Sequence, residues 1–247
     1  MAVVVEVKGL IKRFGTKVVL KQLNLNLEKG EFAALLGPNG AGKTTFMRIL
    51  ATLSKASAGQ IRINGFEIPG QSAEVRRQLG VVEHLPLLYG DLSAEENLEF
   101  FARLYALENI DKRIDNVLSV VGLSNRRKDL VRTFSRGMQQ RLAIGRAILH
   151  EPEVLLLDEP HTGLDQAASD MLDETLRRVT SQRRTILMTS HDLARVDDLA
   201  SRFLVLNHAT IVAERSKQDL GSENVLDFYK AALLLPAPKK QKAEAAD

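Results

Sequence analysis

Three glycines, a lysine and two threonines stand together in LLGPNGAGKTTF, residues 35–46. Within it, Gly37-x-x-x-x-Gly42-Lys43-Thr44 has the spacing of a phosphate-binding loop. Glycines let successive backbone N–H groups turn inward as an anion nest. The stretch Gly37, Pro38, Asn39, Gly40, Ala41, Gly42 is therefore read as a cradle for a phosphate chain. A helix beginning there adds the positive end of its dipole. Lys43 supplies a mobile full charge for the outer phosphates, Thr44 offers a hydroxyl to Mg²⁺, and Thr45 is counted with them. The bland alternative is a glycine-rich turn with an incidental lysine. Against it stands the context: the loop follows an apolar AALL run and precedes KTTFMRILATL, apolar at helical spacing through Phe46, Ile49, Leu50 and Leu53.

A second group lies in VLLLDEP. A carboxylate at the C-terminal end of a buried parallel strand stands where ligands bind in open α/β sheets. Asp158 is placed to hold Mg²⁺, and Glu159 to act on an attacking water as general base. The two acids alone would be compatible with a simple helix cap. HTGLDQ follows at once, and TSHD comes later, with His191 ending another apolar strand on the same edge.

These groups must be positioned by elements that the rest of the chain supplies. VVVEV, VVLKQLNLNLE and EFAALL read as short strands, and the strict alternation of LNLNL buries one face. GQIRINGFEI reads as a hairpin turning at Asn64-Gly65. Residues 91–151 change character: Ser93 and Glu96 form a capping box, and three helices follow. After them, EVLLLDEP, TILMTSHD and FLVLNHATIVAER alternate with helical stretches, which implies a parallel sheet with helices on its faces. SENVLDFYKAALLL reads as a last amphipathic helix, and PAPKKQKAEAAD has the composition of a disordered tail.

The composition bounds the class. The 247 residues carry a net charge of +3 and no cysteine, so there is neither a disulfide framework nor a thiolate metal site. No concentrated basic face marks a nucleic-acid partner. No apolar run reaches the roughly 20 residues of a membrane helix, and the acidic start MAVVVEV is not a signal peptide. Service to a membrane would go through a partner.

Taken in order, these motifs resemble the nucleotide-binding subunit of an ABC transporter, over residues 3 to about 215. The resemblance implies an α/β P-loop NTPase core with an N-terminal antiparallel β subdomain and an inserted helical subdomain. It sets an ATP-binding domain at 1–220, with the helical part near 91–151, and a C-terminal helix and tail at 221–247. It implies ATP and Mg²⁺ as cofactors, Phe14 stacking on adenine, and a residue at His84 that touches Mg²⁺ and the attacking water. It further implies a signature at 134–141 carrying Ser135 and Gly137, then Asp165 and a γ-phosphate-sensing His191. Two copies would close head to tail over two ATP molecules, each phosphate loop facing the other copy's signature helix. Transmembrane permease subunits would be the partners, at the cytoplasmic face of the cell membrane, with no nucleic acid.

Two departures stand out. The family signature usually reads LSGGQ; here FSRGMQQR places Phe134, Arg136 and Met138 where Leu, Gly and Gln are usual. His84 stands where most relatives have glutamine. Both features are similar to the ATPase of the haem exporter of cytochrome c maturation. Exporters of drugs, lipids or polysaccharides share nearly everything else. A soluble ABC ATPase, such as an iron–sulfur assembly factor, is the alternative from another class, and a non-hydrolysing ATP-binding regulator is a third; Glu159 and His191 argue against the last.

Overall fold

The computed structural model describes residues 2–182 and 184–236; the expected tail, 236–247, lies outside them from residue 237 on. Two long strands open the chain, β1 (Val3–Phe14) and β2 (Lys17–Glu28). Short strands were expected here. Instead the two-residue Gly15-Thr16 turn lets pairing run unbroken from Phe14↔Lys17 to Val3↔Glu28, and register shifts along β1 let the long ribbon bend. Leu23, Leu25 and Leu27 of β2 are buried, while Asn24 and Asn26 between them are exposed.

The ribbon joins β4 (Ala58–Ile63) and β5 (Phe66–Ile68) in a four-stranded antiparallel sheet, order β2-β1-β4-β5. The β4–β5 turn is Asn64-Gly65, both at positive φ, as a two-residue hairpin turn requires.

The second sheet has the order β10-β9-β3-β8-β7-β6. It comprises β3 (Phe32–Leu36), β6 (Leu79–Val82), β7 (Val154–Asp158), β8 (Thr185–Thr189), β9 (Arg202–Asn207) and β10 (Thr210–Ser216). All neighbours are parallel except β9–β10. Strands β3, β7 and β8 are buried at every position, so apolar runs rather than alternation encode them.

Alternate residues face two cores. Phe32, Ala34, Leu36, Leu155, Leu157, Ile186 and Met188 pack on the helical side. Ala33, Leu35, Val154, Leu156 and Leu187 pack against the antiparallel sheet and the first helix.

That helix is α1 (Lys43–Leu50), and α2 (Ser72–Gln78) runs straight into β6. Between β6 and β7 come α3 (Ala94–Leu104), α4 (Ile110–Val120) and α5 (Arg136–Ile148). The Ser93–Glu96 capping box is formed in both directions. Helices α6 (Gln166–Thr180), α7 (Leu193–Leu199), α8 (Lys217–Leu220) and α9 (Val225–Leu233) complete the helical face.

A candidate nucleotide site at the strand ends

Strands β3, β8 and β7 lie side by side and end at one edge, in the pairs Leu35↔Thr189 and Asp158↔Thr189. The segments that follow them are the glycine loop, the His191 segment and Glu159. Together they line an open cleft of about 1080 Å³. Its walls include Pro38 to Thr45, His84, Asp158, Glu159 and His191.

Glycine is required at two loop positions by close approach. A Cβ at Gly37 would fall 2.3 Å from the Leu206 carbonyl oxygen. Gly42, at φ +108, is the N-cap of α1, and a Cβ there would meet Leu20 and Val19. No side chain caps α1 and no acid stands in its first turn, so its positive end is left for an anion. Lys43 is buried; its Nζ donates to the carbonyls of Gly37 (2.7 Å) and Pro38 (3.4 Å) and lies 3.9 Å from Glu159 Oε1.

Thr189 orders the acids. Its hydroxyl donates to Asp158 Oδ1 at 2.6 Å and accepts from the Glu159 N–H at 2.9 Å. The same N–H also reaches the Thr189 carbonyl at 3.2 Å. Glu159 has φ +52, a left-handed conformation that a non-glycine residue keeps only where its surroundings impose it. His191 Nδ1 lies 2.7 Å from Glu159 Oε2.

For Mg²⁺ the donors fit. One Asp158 oxygen is engaged by Thr189, the other lacks that bond, and Thr44 adds a hydroxyl on the same wall. Among the described residues no cluster of three or more acidic, His or Cys side chains could cage a metal ion. One or two protein oxygens together with substrate phosphates are the usual holders of Mg²⁺.

Four expected residues stand apart from the cleft wall. Phe14 is exposed at the tip of the β1–β2 ribbon, under the Lys12 ammonium at 4.5 Å from its centroid. Ser135 is the N-cap of α5 and accepts from Met138 N at 3.3 Å. Gly137 sits where a Cβ would fall 2.6 Å from Ala168 Cβ, so the start of α5 packs closely on the start of α6. Asp165 caps α6, accepting from Ala168 N at 2.7 Å. Arg136 lies over Gly163: a Cβ there would come within 2.8 Å of its Cζ.

Other residues had no motif to mark them. Lys17 and Lys21 from β2, Asn207 at the end of β9, and His208 and Ala209 of the β9–β10 turn also line the wall. Lys21 N donates to Ala209 O at 2.7 Å, tying the two sheets together beside the loop. Below the site, His161 Nε2 and Arg195 Nη1 grip the two oxygens of Asp173 on α6. Burial pushes the Asp173 carboxyl up, but the His161 hydrogen bond and the Arg195 charge outweigh it and hold it below the ordinary carboxylate value.

The model of the ABC transporter family matches residues 20–162. The linearmycin resistance ATP-binding protein LnrL of Bacillus subtilis is 36% identical over 88% of this chain and 70% of its own. The Nod factor export ATP-binding protein I of Cupriavidus pinatubonensis is 35% identical over 89% of this chain and 68% of its own. Among solved structures, CbiO1 of Clostridium perfringens, part of the ABC transporter complex CbiONQ, superposes with TM-score 0.82 at 26% identity, covering 90% of this chain and 92% of that one. The dimeric ATP-binding cassette MJ0796, in a post-hydrolysis state bound to ADP and Pi, gives 0.76 at 26% identity, covering 86% and 98%.

Proposed function

This chain belongs to the ABC transporter family as an ATP-binding, ATP-hydrolysing subunit, and on that premise we propose that it powers export across a membrane, as two copies docked on permease subunits. The observation that carries the membrane part is an apolar surface beside the cleft. Leu85, Leu87 and Tyr89, which follow His84 in the chain, are exposed, as are Phe100, which packs on Tyr89, and Leu104 of α3. Tyr89, Phe100 and Phe101 pack edge to face there, with centroids 5.2 Å apart in two of the pairs. No described helix is long and apolar enough to cross a membrane, so the reading requires a separate membrane partner. It places the chain at the cytoplasmic face.

In this reading the loop amides and Lys43 hold the ATP phosphates, and Phe14 stacks on the adenine. Thr44, Asp158 and His84 would hold Mg²⁺, which supplies charge neutralisation on the phosphates when bound. Glu159 takes the proton of the attacking water, and His191 holds Glu159 in place. Stabilising the charge of the transferring phosphoryl is the main task, since there is little covalent work for the protein to do. Ser135 and Gly137 of a second copy complete each site, and Asp165 lies at the junction. What supports the second copy is the position of Ser135, on a helix start that does not line its own chain's cleft.

Export rather than import is supported by the name of one relative, the Nod factor export ATP-binding protein I. Haem as cargo rests on His84 and the string SRGMQQRL alone. The test is capture of the tagged Glu159→Gln protein with ATP from its own membranes, with mass spectrometry of what co-purifies. Polytopic membrane proteins bear out the transporter reading, and haem absorbance in the eluate adds the cargo. Soluble partners alone sink it and favour a soluble ABC ATPase.

A further inference from the structure

We propose that Arg146 is the positioning residue of the His84 loop, holding it by both ends from the last turn of the helix that carries Ser135 and Gly137. The guanidinium donates through Nη1 to the carbonyls of Leu87 (2.9 Å) and Pro86 (3.1 Å), and through Nη2 to that of Val81 (3.0 Å). These acceptors straddle His84: Val81 lies in β6 before it, and Pro86 and Leu87 follow it. One planar group therefore closes the segment 82–85, and it fixes Leu87 at φ +50, a left-handed conformation. The charge also lies over the Phe101 ring, 5.3 Å from its centroid. Phe101 packs against Phe100 and Tyr89 of the exposed apolar surface.

Downstream, buried Asn97 of α3 takes over. It accepts from Tyr89 N (2.8 Å) and donates to Tyr89 O (2.9 Å) and Ser93 O (2.9 Å). The loop is thus pinned at 81, at 86–87 and from 89 onward, while His84 and Leu85 project exposed between the pins. Arg146 therefore ties the segment that carries His84 and the apolar surface to α5. Only arginine serves: its rigid fork spans separate acceptors, whereas a lysine ammonium is a single point on a flexible stem.

The inference rests on the reading that His84 serves hydrolysis, so its test separates the two. Steady-state ATP hydrolysis and hydrogen exchange are measured for the full chain as parent, Arg146→Lys, His84→Ala and the double variant. Arg146→Met serves as a second substitution, and exchange in β7 and α1 controls for folding. The expected result is faster exchange confined to residues 83–88 in both Arg146 variants. With it, kcat for Arg146→Lys falls on the order of tenfold or more while KM for ATP stays within about twofold, and this loss disappears in the His84→Ala background. Unchanged exchange at 83–88 overturns the holding role. An equal kcat loss with and without His84 overturns the route through His84. Parental turnover of His84→Ala overturns the proposal on a different ground, the role of His84 itself.

Discussion

His191 Nδ1 lies 2.7 Å from Glu159 Oε2, while Lys43 Nζ stands 3.9 Å from the other oxygen of the same carboxylate. Three segments that are far apart in sequence thus meet on Glu159. Its backbone is held in a left-handed conformation by Thr189, and its side chain is aimed by His191.

Replacing His191 by Ala removes the group that aims Glu159 without touching the phosphate loop. We expect kcat to fall on the order of a hundredfold with KM for ATP little changed. Steady-state phosphate release over a range of ATP concentrations checks this. A large rise in KM with an intact kcat would instead assign His191 to ground-state binding.

The need for two copies predicts complementation. Lys43→Ala removes the loop's charge, and Ser135→Phe blocks the exposed start of α5; each protein alone is expected to be inactive. Mixed, they form a pair in which one intact loop faces one intact signature helix, and turnover returns. Phosphate release from the mixture, compared with each variant at equal total concentration, decides it: no recovery means that each chain works alone.

Arg136 replaces the usual glycine of the signature and lies over Gly163. The account expects Arg136→Gly to keep turnover within about twofold, because Ser135 and Gly137 still present the helix start. A variant much faster than the parent would identify Arg136 as a brake.

Asp173 on α6 links the segment after β7 to helix α7 through His161 and Arg195, and these partners hold its carboxyl below the ordinary value. A carboxylate lowered in the folded state stabilises fully above its unfolded value and loses that contribution as pH falls through the folded value. The melting temperature of Asp173→Asn is therefore expected to lie below that of the parent at pH 7. The gap narrows below about pH 4, the ordinary carboxylate range. A gap constant down to pH 3 would contradict this assignment.

The phosphate loop was legible because its chemistry is local. Spacing, glycine content and a strand–helix context occur within twelve residues, 35–46. The buried strands β3, β7 and β8 were legible as apolar runs, and the β4–β5 hairpin from Asn64-Gly65. Helix α2 and edge strand β6 were not, because QSAEVRRQLGVV passes from one to the other with no turn residue between. The reason for Gly80 is visible only in three dimensions, where a Cβ would fall 2.3 Å from the Ala147 carbonyl oxygen. The same holds for Thr189 and Arg146. Their partners lie 31 residues away for Thr189 and 59 to 65 for Arg146, and no spacing rule connects them.

The most direct test of the site is phosphate release by Glu159→Gln beside the parent, with ATP binding measured on the same protein. The substitution keeps shape and hydrogen bonding but removes the base. The account predicts hydrolysis lower by on the order of 10²–10⁴-fold, with ATP still bound and the protein shifting to a dimer when ATP is added. Hydrolysis near the parental rate would show that Glu159 is not the base and would contradict the assignment of this cleft's chemistry.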